Sequence, residues 1–431
     1  MNASTQSPAG IVSALQRASD QRIWLKVGRL FDGHQSRGAC HLVLDRQAIL
    51  HVGSAPPPLL VRPGQISPDL DLPDHTALPG LIEAHGHLFL EGGELDPGRR
   101  ETFLTLPADD LLARAEQRLD RLLRLGIIAV RDAGDRVGVG LALQRRCESA
   151  PHNAMPHIES PGAAIHHQGR YGSFMATPLE AQGSIEAAVS ARVAEGARHI
   201  KLLATGIINF EKGAVTAKPQ MPAEELARAV SAARSHARQT MVHCSGNDGV
   251  ANCIAAQVDT IEHGYFIARD QLARLRDLDI AWVPTFAPVQ FQVDHADSLG
   301  WSSTVRDNLL RILDDHAARL ADASMLGVKI IAGSDAGSHG VAHGHGFLNE
   351  LELMEQAGLS AERVLRSATG ESSDRLHLAE PAGRLAPGKR ARFLLTNAHV
   401  LDSVRHLRAP SIVFFDGAVF TGGDDALRAG L

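Results

Sequence analysis

Short apolar runs alternate with amphipathic helical patterns between residues 77 and about 383. The stripe of apolar residues at 111, 112, 115, 119, 122 and 123 predicts a helix that ends at Gly126. Further helices are predicted over residues 185–193 and 222–238. Strands are predicted over residues 77–87, 127–130, 156–162, 199–203, 240–244, 258–262, 281–284 and 328–333. Eight strand–helix units of about 36 residues predict an α/β fold, a (β/α)8 TIM barrel.

Both ends of the chain carry a different, β-rich pattern. Residues 22–75 contain short apolar runs separated by Gly and Asp, and the run over residues 412–420 is interrupted by Asp416-Gly417, a hairpin signal. We expect residues 22–75 and 384–431 to form one discontinuous β-sandwich domain beside a barrel over residues 76–383. Residues 1–21 are polar and rich in Ala and Ser, and are predicted to form an N-terminal arm.

The composition excludes several classes of protein. The 431 residues carry a net charge of −6 and no basic run, so nucleic acid is not an expected partner. No apolar run is long enough to span a membrane, and the N-terminus lacks the pattern of a secretory signal. The four cysteines are widely spaced without a CxxC pair, as in reduced proteins. We therefore expect a cytoplasmic protein.

Ionisable residues recur at or near the C-terminal ends of the predicted strands, where barrel enzymes place their active sites. Imidazole nitrogens and carboxylate oxygens suit Zn, Mn, Co or Ni better than a soft, thiolate-bound metal. The candidate metal ligands are His85, His87, Lys201, His243, His263 and Asp335.

Each of these residues also has an ordinary structural interpretation. A single His at a strand end is commonly a hydrogen-bonded loop residue, Asp335 could cap a helix, and Lys201 could lie at a solvated strand edge. The recurrence of such residues at the period of the barrel favours a shared metal site.

Several motifs resemble those of the amidohydrolase superfamily, and the resemblance covers nearly the whole chain. Residues 78–87, LPGLIEAHGH, resemble its "PGLID-HxH" opening. Residues 199–206, HIKLLATG, are similar to the "IK-ATG" stretch of the Xaa-Pro dipeptidase and N-acyl amino acid hydrolase (imidazolonepropionase-like) subgroup. Residues 261–264 and 333–337 match further ligand motifs, and residues 383–389 match the terminal "GxLxPGK".

The resemblance implies two divalent metal ions, with zinc as the first expectation. One would be held by His85, His87 and Asp335 and the other by His243 and His263, with Lys201 bridging both as a carbamate. Two cations can share a hydroxide and polarise a carbonyl at once. Asp335 would be the catalytic residue, taking a proton from the bridging water and passing it to the leaving amine. A homo-oligomer acting on a small-molecule substrate is expected.

Substrate contacts are predicted on two loops. The subgroup often has "TGGHG" after strand three, and Tyr171 stands at the position of that His. Arg170 beside it could bind a substrate carboxylate, or be a loop residue with a surface partner. His167 and His343 are further candidates for substrate binding, although the Gly-rich segment around His343 could equally be a lid.

The predicted activity is hydrolysis of the amide or peptide bond of a dipeptide or N-acyl amino acid with a free carboxylate. The alternatives on the same site are a cyclic amide, a carbamate, an ester or lactone, and a phosphoester. A mononuclear deaminase is another alternative, but such relatives do not use a lysine on strand four. An inactive scaffold is disfavoured because all six ligand positions are filled.

Overall fold

The computed structural model describes residues 7–58, 61–149, 155–379, 382–409 and 411–422. Its strands are β1 (Ile23–Phe31), β2 (Ser36–Arg37), β3 (Cys40–Leu44), β4 (Ile49–Gly53), β5 (Leu70–Pro79), β6 (Leu81–Gly86), β7 (Ile127–Asp132), β8 (His157–Glu159), β9 (His199–Leu203), β10 (Gln239–Cys244), β11 (Thr260–His263), β12 (Ala281–Val283), β13 (Arg392–Asn397), β14 (Ile412–Phe415) and β15 (Ala418–Thr421).

The helices alternate with the strands through the middle of the chain. They are α1 (Pro8–Gln16), α2 (Pro97–Thr105), α3 (Ala108–Arg124), α4 (Val139–Ser149), α5 (Ile185–Ala194), α6 (Ala223–Ser235), α7 (Asn247–Ala256), α8 (Arg269–Asp277), α9 (Ala287–Asp294), α10 (Ser303–Leu326), α11 (His345–Gln356), α12 (Ala361–Ser367) and α13 (Gly370–Leu376). No helix in these described ranges combines the length and apolarity that crossing a membrane requires.

Strands from both ends of the chain pair in one sheet of eight strands. Its order is β15-β14-β13-β5-β1-β3-β4, with β2 paired to β1. Strand β5 joins the two halves, because it pairs parallel with β1 and antiparallel with β13. The sequence predicts a sandwich, but the described strands of the two ends form a single continuous sheet. The boundaries 22–75 and 384–431 remain a prediction, and β5 itself runs past residue 75.

The N-terminal segment forms a helix against this sheet, where the sequence analysis expected an arm. Ser7 caps α1 by accepting a hydrogen bond from the Gly10 amide, and Pro8 opens the helix. Ile11, Leu15 and Ala18 are buried in the same apolar cluster as the sheet residues. These positions lie three or four residues apart, so one face of the helix is apolar, and burial of that face stabilises it against the sheet.

The barrel region contains two parallel sheets. Strands β6, β7 and β8 form one, and β9, β10, β11 and β12 form the other. The predicted eighth strand, residues 328–333, is not a regular strand. Its segment instead forms isolated parallel bridges, Ile330 with Trp282 of β12 and Ala336 with Gly86 of β6. A further bridge joins Ile165 to Leu202 of β9. These bridges link the sheets, while a closed eight-stranded barrel stays a prediction.

The long apolar run that the sequence analysis treats as one strand is divided at Gly80. β5 belongs to the mixed sheet, and β6 begins the parallel sheet one residue later. A Cβ atom at Gly80 would lie 2.5 Å from Ile128 Cγ2, so a larger residue there would have to displace the Ile128 side chain of β7. The chain therefore passes directly from the terminal sheet into the barrel region and positions His85 and His87 at the end of β6.

Candidate active site

The six residues predicted as metal ligands lie together at the C-terminal ends of the parallel strands. Lys201 Nζ lies 3.5 Å from His85 Nε2, and the Nε2 atoms of His85 and His87 lie 3.5 and 3.3 Å from Asp335 Oδ1. The ring of His263 is 5.0 Å from that of His85 and 4.6 Å from that of His243, between centroids. All but Asp335, which is partly buried, are buried residues. Five different segments of the chain thus converge on one small volume.

Three hydrogen-bond acceptors in this cluster face one another, and Lys201 Nζ approaches one of them, His85 Nε2, at 3.5 Å. His85 Nδ1 donates to Glu262 Oε2 at 2.7 Å, since a carboxylate can only accept, so its Nε2 is left with a lone pair. His87 Nδ1 faces the carbonyl oxygen of Gly134 at 3.4 Å and donates to it, so the Nε2 atom of His87 also carries a lone pair. Asp335 Oδ1 is buried and accepts no hydrogen bond from the described part of the chain. These ligand atoms lie within 4.8 Å of one another, a geometry and donor set that fit a divalent cation.

The imidazoles are oriented by partners on their far sides. Glu262 binds His85 and also receives a hydrogen bond from Arg131, whose Nη1 is 3.3 Å from Glu262 Oε1. His263 Nδ1 is 2.7 Å from Thr285 Oγ1. Such partners fix the tautomer and rotation of a metal-binding imidazole. Sequence reasoning overlooked Glu262, Arg131 and Thr285, although Glu262 lies directly before His263 in the motif.

Left-handed backbone conformations occur at two of the cluster residues. His263 has φ 69° and Asp335 has φ 57°, values that are unusual for residues other than Gly. The turn at His263 lets both it and its neighbour Glu262 approach His85, which a regular strand would prevent by pointing them to opposite faces. Such conformations cost about 1–3 kcal/mol each and are concentrated at functional sites.

Burial and charge shift the pKa values in the cluster. Burial lowers the pKa of Lys201 to about 8, although Glu262 and Asp335 oppose that shift. Burial lowers the pKa of His243 to about 4, and the nearby Lys201 charge acts in the same direction. Burial would raise the pKa of Asp335, but His87 and His85 hold it well below its usual range. Neutral imidazoles and an ionised carboxylate are the forms that bind metals.

A cavity of about 720 Å³ opens above the cluster. Lys201, His87, His243, His263 and Asp335 contribute to its lining. Its walls are largely apolar and include Phe103, Leu104, Phe174, Ile207, Phe210 and Val289. Cavities of this size accommodate small organic molecules with apolar groups.

Of the four residues predicted to contact substrate, Tyr171 lines this cavity. Its ring centroid lies 5.0 Å from that of His243. The other three do not belong to the lining, and each has a partner elsewhere. Arg170 donates to the carbonyl oxygen of Lys218, and His167 bridges Glu180 and Glu225 at 2.8 and 2.7 Å.

The last of the four, His343, is buried beneath the loop that follows β6. Its Nε2 is 2.9 Å from the carbonyl oxygen of Leu90. Direct substrate contact by Arg170, His167 and His343 stays a prediction, because the structure holds these side chains outside the cavity lining, each bonded to another part of the chain. Adjacency to a motif in the sequence does not determine which side chains face the cavity.

Side chains that could hold a metal ion converge at the ends of parallel strands, beneath a cavity, in an α/β fold. The chain belongs to the amidohydrolase family, whose model matches residues 76–420. It is accordingly a hydrolase acting on amide bonds, and the divalent metals used in this family agree with the His85, His87 and Asp335 group.

Similar proteins support this assignment. An uncharacterised protein of Mycobacterium tuberculosis is 26% identical over 293 residues, which cover 68% of this chain and 72% of that protein. A crystal structure of a Xaa-Pro dipeptidase with bound methionine in the active site is 25% identical, with a TM-score of 0.75 over 93% of this chain and 100% of that one. The crystal structure of A. niger ochratoxinase is 21% identical, with a TM-score of 0.76 over 94% of this chain and 96% of that one. The dipeptidase likeness matches the subgroup that the motifs predict.

Proposed function

We propose that this protein is a binuclear metal-dependent hydrolase that cleaves the amide bond of a dipeptide or N-acyl amino acid. The observation that carries the proposal is the position of Lys201 Nζ, buried among the imidazoles and 3.5 Å from His85 Nε2. One metal would be held by His85, His87 and Asp335. The second would be held by His243 and His263, with Lys201 between the two.

A bridging role requires Lys201 to be an anion. A protonated amine so close to the imidazoles would repel cations, whereas the neutral amine can attack carbon dioxide. In that step the Nζ–C bond forms, one C=O π bond opens onto oxygen, and Nζ loses a proton to solvent. The resulting carbamate would give Lys201 the anionic oxygens that a bridging ligand needs.

The residues around the metals supply proton transfer and orientation. When bound, the two metals would polarise the scissile carbonyl and lower the pKa of water. The Asp335 carboxylate would accept the proton of the attacking water and deliver it to the leaving nitrogen. Ser338 Oγ donates to Asp335 Oδ2 at 2.8 Å and holds that carboxylate in position. Tyr171 lines the cavity beside His243 and has a phenol that can donate to the substrate carbonyl oxygen.

The class of substrate is supported by the shape and polarity of the cavity. Its volume, about 720 Å³, and its apolar walls suit an amino acid derivative with an apolar side chain. The similar dipeptidase structure holds methionine in its active site, which is a free amino acid of this kind. We therefore expect an apolar amino acid to be one product of hydrolysis.

A substrate screen tests this function. The enzyme is assayed with dipeptides and N-acyl derivatives of Met, Leu and Phe, and in parallel with a lactone, a cyclic amide and a phosphotriester. We expect the first group to be hydrolysed fastest, with turnover lost on chelation and restored by Zn, Mn or Co. Faster hydrolysis of the lactone or phosphotriester, or turnover that resists chelation, would contradict the proposal.

A further inference from the structure

Arg100 is a partly buried cation at the wall of the cavity. It lies in α2, and two residues of the cavity wall, Phe103 and Leu104, follow it one turn later on the same helix. Its Nη2 donates to the carbonyl oxygen of Gly337 at 3.3 Å, two residues beyond Asp335. Its Nη1 donates to the carbonyl oxygen of Glu91 at 3.2 Å. These two bonds hold the guanidinium beside the segment that carries Asp335.

The charge of Arg100 is not neutralised by an ion pair with any carboxylate of the described residues. Both of its hydrogen bonds go to main-chain carbonyls. Glu94, the acidic residue that acts on it electrostatically, lies 3.6 Å from the neighbouring Arg99 instead. Glu91 pairs with Arg118 at 2.6 Å, and Glu101, also at the cavity, is exposed. Burial without a counter-ion is costly for a cation, so this position favours an anionic ligand.

We propose that Arg100 binds the free carboxylate of the substrate and so directs the enzyme to acids over their uncharged analogues. The proposal rests on the proposed function, because it assumes a substrate that carries a carboxylate. A guanidinium can bind a carboxylate through two parallel hydrogen bonds. Phe103 and Leu104 on the same helix would then contact the apolar side chain of that amino acid.

This assignment moves the carboxylate site to α2 from the loop that the sequence favours. Arg170 was the sequence candidate for the role, but its guanidinium is exposed, donates to the Lys218 carbonyl, and lies outside the cavity lining. Arg100 has three features that Arg170 lacks. It is partly buried, it lies in the cavity wall, and it donates a hydrogen bond to the segment that carries Asp335.

The test compares each substrate with an analogue that lacks only the carboxylate. N-acetyl-L-phenylalanine is paired with N-acetylphenethylamine, and the dipeptides and other N-acyl amino acids of the screen are paired in the same way. The variants are Arg100→Gln, Arg100→Lys and, as a matched control on the same helix, Arg99→Gln. Arg99 has a side chain that is 76% exposed and is paired with Glu94.

We expect Arg100→Gln to raise KM for the acids by about 10- to 100-fold, with kcat changed far less, and to leave the uncharged analogues unaffected. Arg100→Lys should recover part of the loss, because it restores the charge, and Arg99→Gln should behave as wild type. Free L-phenylalanine should raise the Tm of the wild type and of Arg99→Gln but not that of Arg100→Gln.

Two other outcomes overturn the inference in distinguishable ways. Equal losses for acids and uncharged analogues in Arg100→Gln would mean that Arg100 only holds the loops in place, while the proposed function would stand. If the wild type hydrolyses none of the carboxylate-bearing substrates, the proposed function fails, and the inference fails with it.

Discussion

His85 donates a hydrogen bond from Nδ1 to Glu262 Oε2 at 2.7 Å, and both side chains are completely buried. Arg131 approaches the other carboxylate oxygen of Glu262 at 3.3 Å. This chain of three side chains runs across the strands β6, β7 and β11 below the proposed metals. It holds the His85 ring with its Nε2 atom toward Asp335, so the geometry of the metal site depends on a residue that does not itself face the cavity.

Replacing Glu262 should therefore weaken metal binding. Glu262→Gln removes the anion that orients His85 and the carboxylate to which the buried Arg131 donates a hydrogen bond. We expect metal affinity and turnover to fall by about 10- to 100-fold, which is the usual loss when such a supporting carboxylate is removed. Metal titration monitored by restored activity measures the effect.

The matched control is Glu159→Gln on β8, which changes a buried carboxylate bonded to His157 and the Ala379 amide. This variant should bind metal as the wild type does. Wild-type metal affinity in Glu262→Gln would show that His85 needs no support from Glu262.

The apolar cavity wall should set the preference for side chains. Ile207 is 60% exposed and lines the cavity, where substrate would cover it. Ile207→Ser should lower kcat/KM for derivatives of Phe and Leu by about tenfold and should affect derivatives of Gly and Ala much less. Steady-state kinetics on that series measures the difference.

Ile66→Ser provides the comparison, because Ile66 is 90% exposed and does not belong to the cavity lining. Its kinetics should match the wild type for every substrate. A uniform loss across the series in Ile207→Ser would point to loop disorder rather than to lost contact.

The bridge made by His167 should make stability depend on pH. Burial alone would lower the pKa of His167, but hydrogen bonds to Glu225 and Glu180 outweigh burial and raise it. A raised folded-state pKa means that this stabilisation is complete below the unfolded pKa of about 6.5 and is lost as the pH rises through the folded-state value. His167→Gln should lower Tm most near pH 6 and progressively less toward about pH 9.

Thermal melts across that pH range provide the measurement. His236→Gln is the control, since the His236 ring faces the hydroxyl of Ser190 rather than a carboxylate. A Tm difference in His167→Gln that stays constant with pH would contradict the charged bridge.

The sequence predicted the six proposed ligands because their positions follow from a repeating unit. Parallel strands end at a common edge, so His85, His243 and His263 had to lie near one another once their strands were recognised. The same logic brings Asp335 to this edge, where its Oδ1 lies 3.3 Å from His87 Nε2, even though residues 328–333 form isolated bridges rather than a strand. Its role as a metal ligand stays a prediction.

The residues that sequence analysis missed depend on local backbone geometry and on distant loops. Alternation along a strand would separate Glu262 from His263, and only the φ of 69° at His263 brings both to His85. Arg100 lines the cavity and donates a hydrogen bond to the carbonyl oxygen of Gly337, which is far away in sequence. Neither contact produces a repeating pattern in the sequence from which it could have been predicted.

The pairing of strands in the terminal sheet could likewise not be predicted from the sequence. Apolar runs identified strands at both ends of the chain, but the pairing of β5 with both β1 and β13, which makes one sheet, is a matter of register between distant segments. The helix α1 was not predicted, because its buried residues Ile11 and Leu15 lie within an Ala- and Ser-rich segment that has no longer apolar stripe.

The most direct test of the binuclear proposal is the number of metal ions per chain in the wild type and in Lys201→Ala, purified with zinc and bicarbonate and measured by elemental analysis. Lys329→Ala, at an exposed lysine paired with Asp279, is the control. We predict about two ions per chain in the wild type and the control, and at most about one in Lys201→Ala, with turnover reduced by at least about 100-fold. Two ions per chain and a wild-type rate in Lys201→Ala would contradict the account.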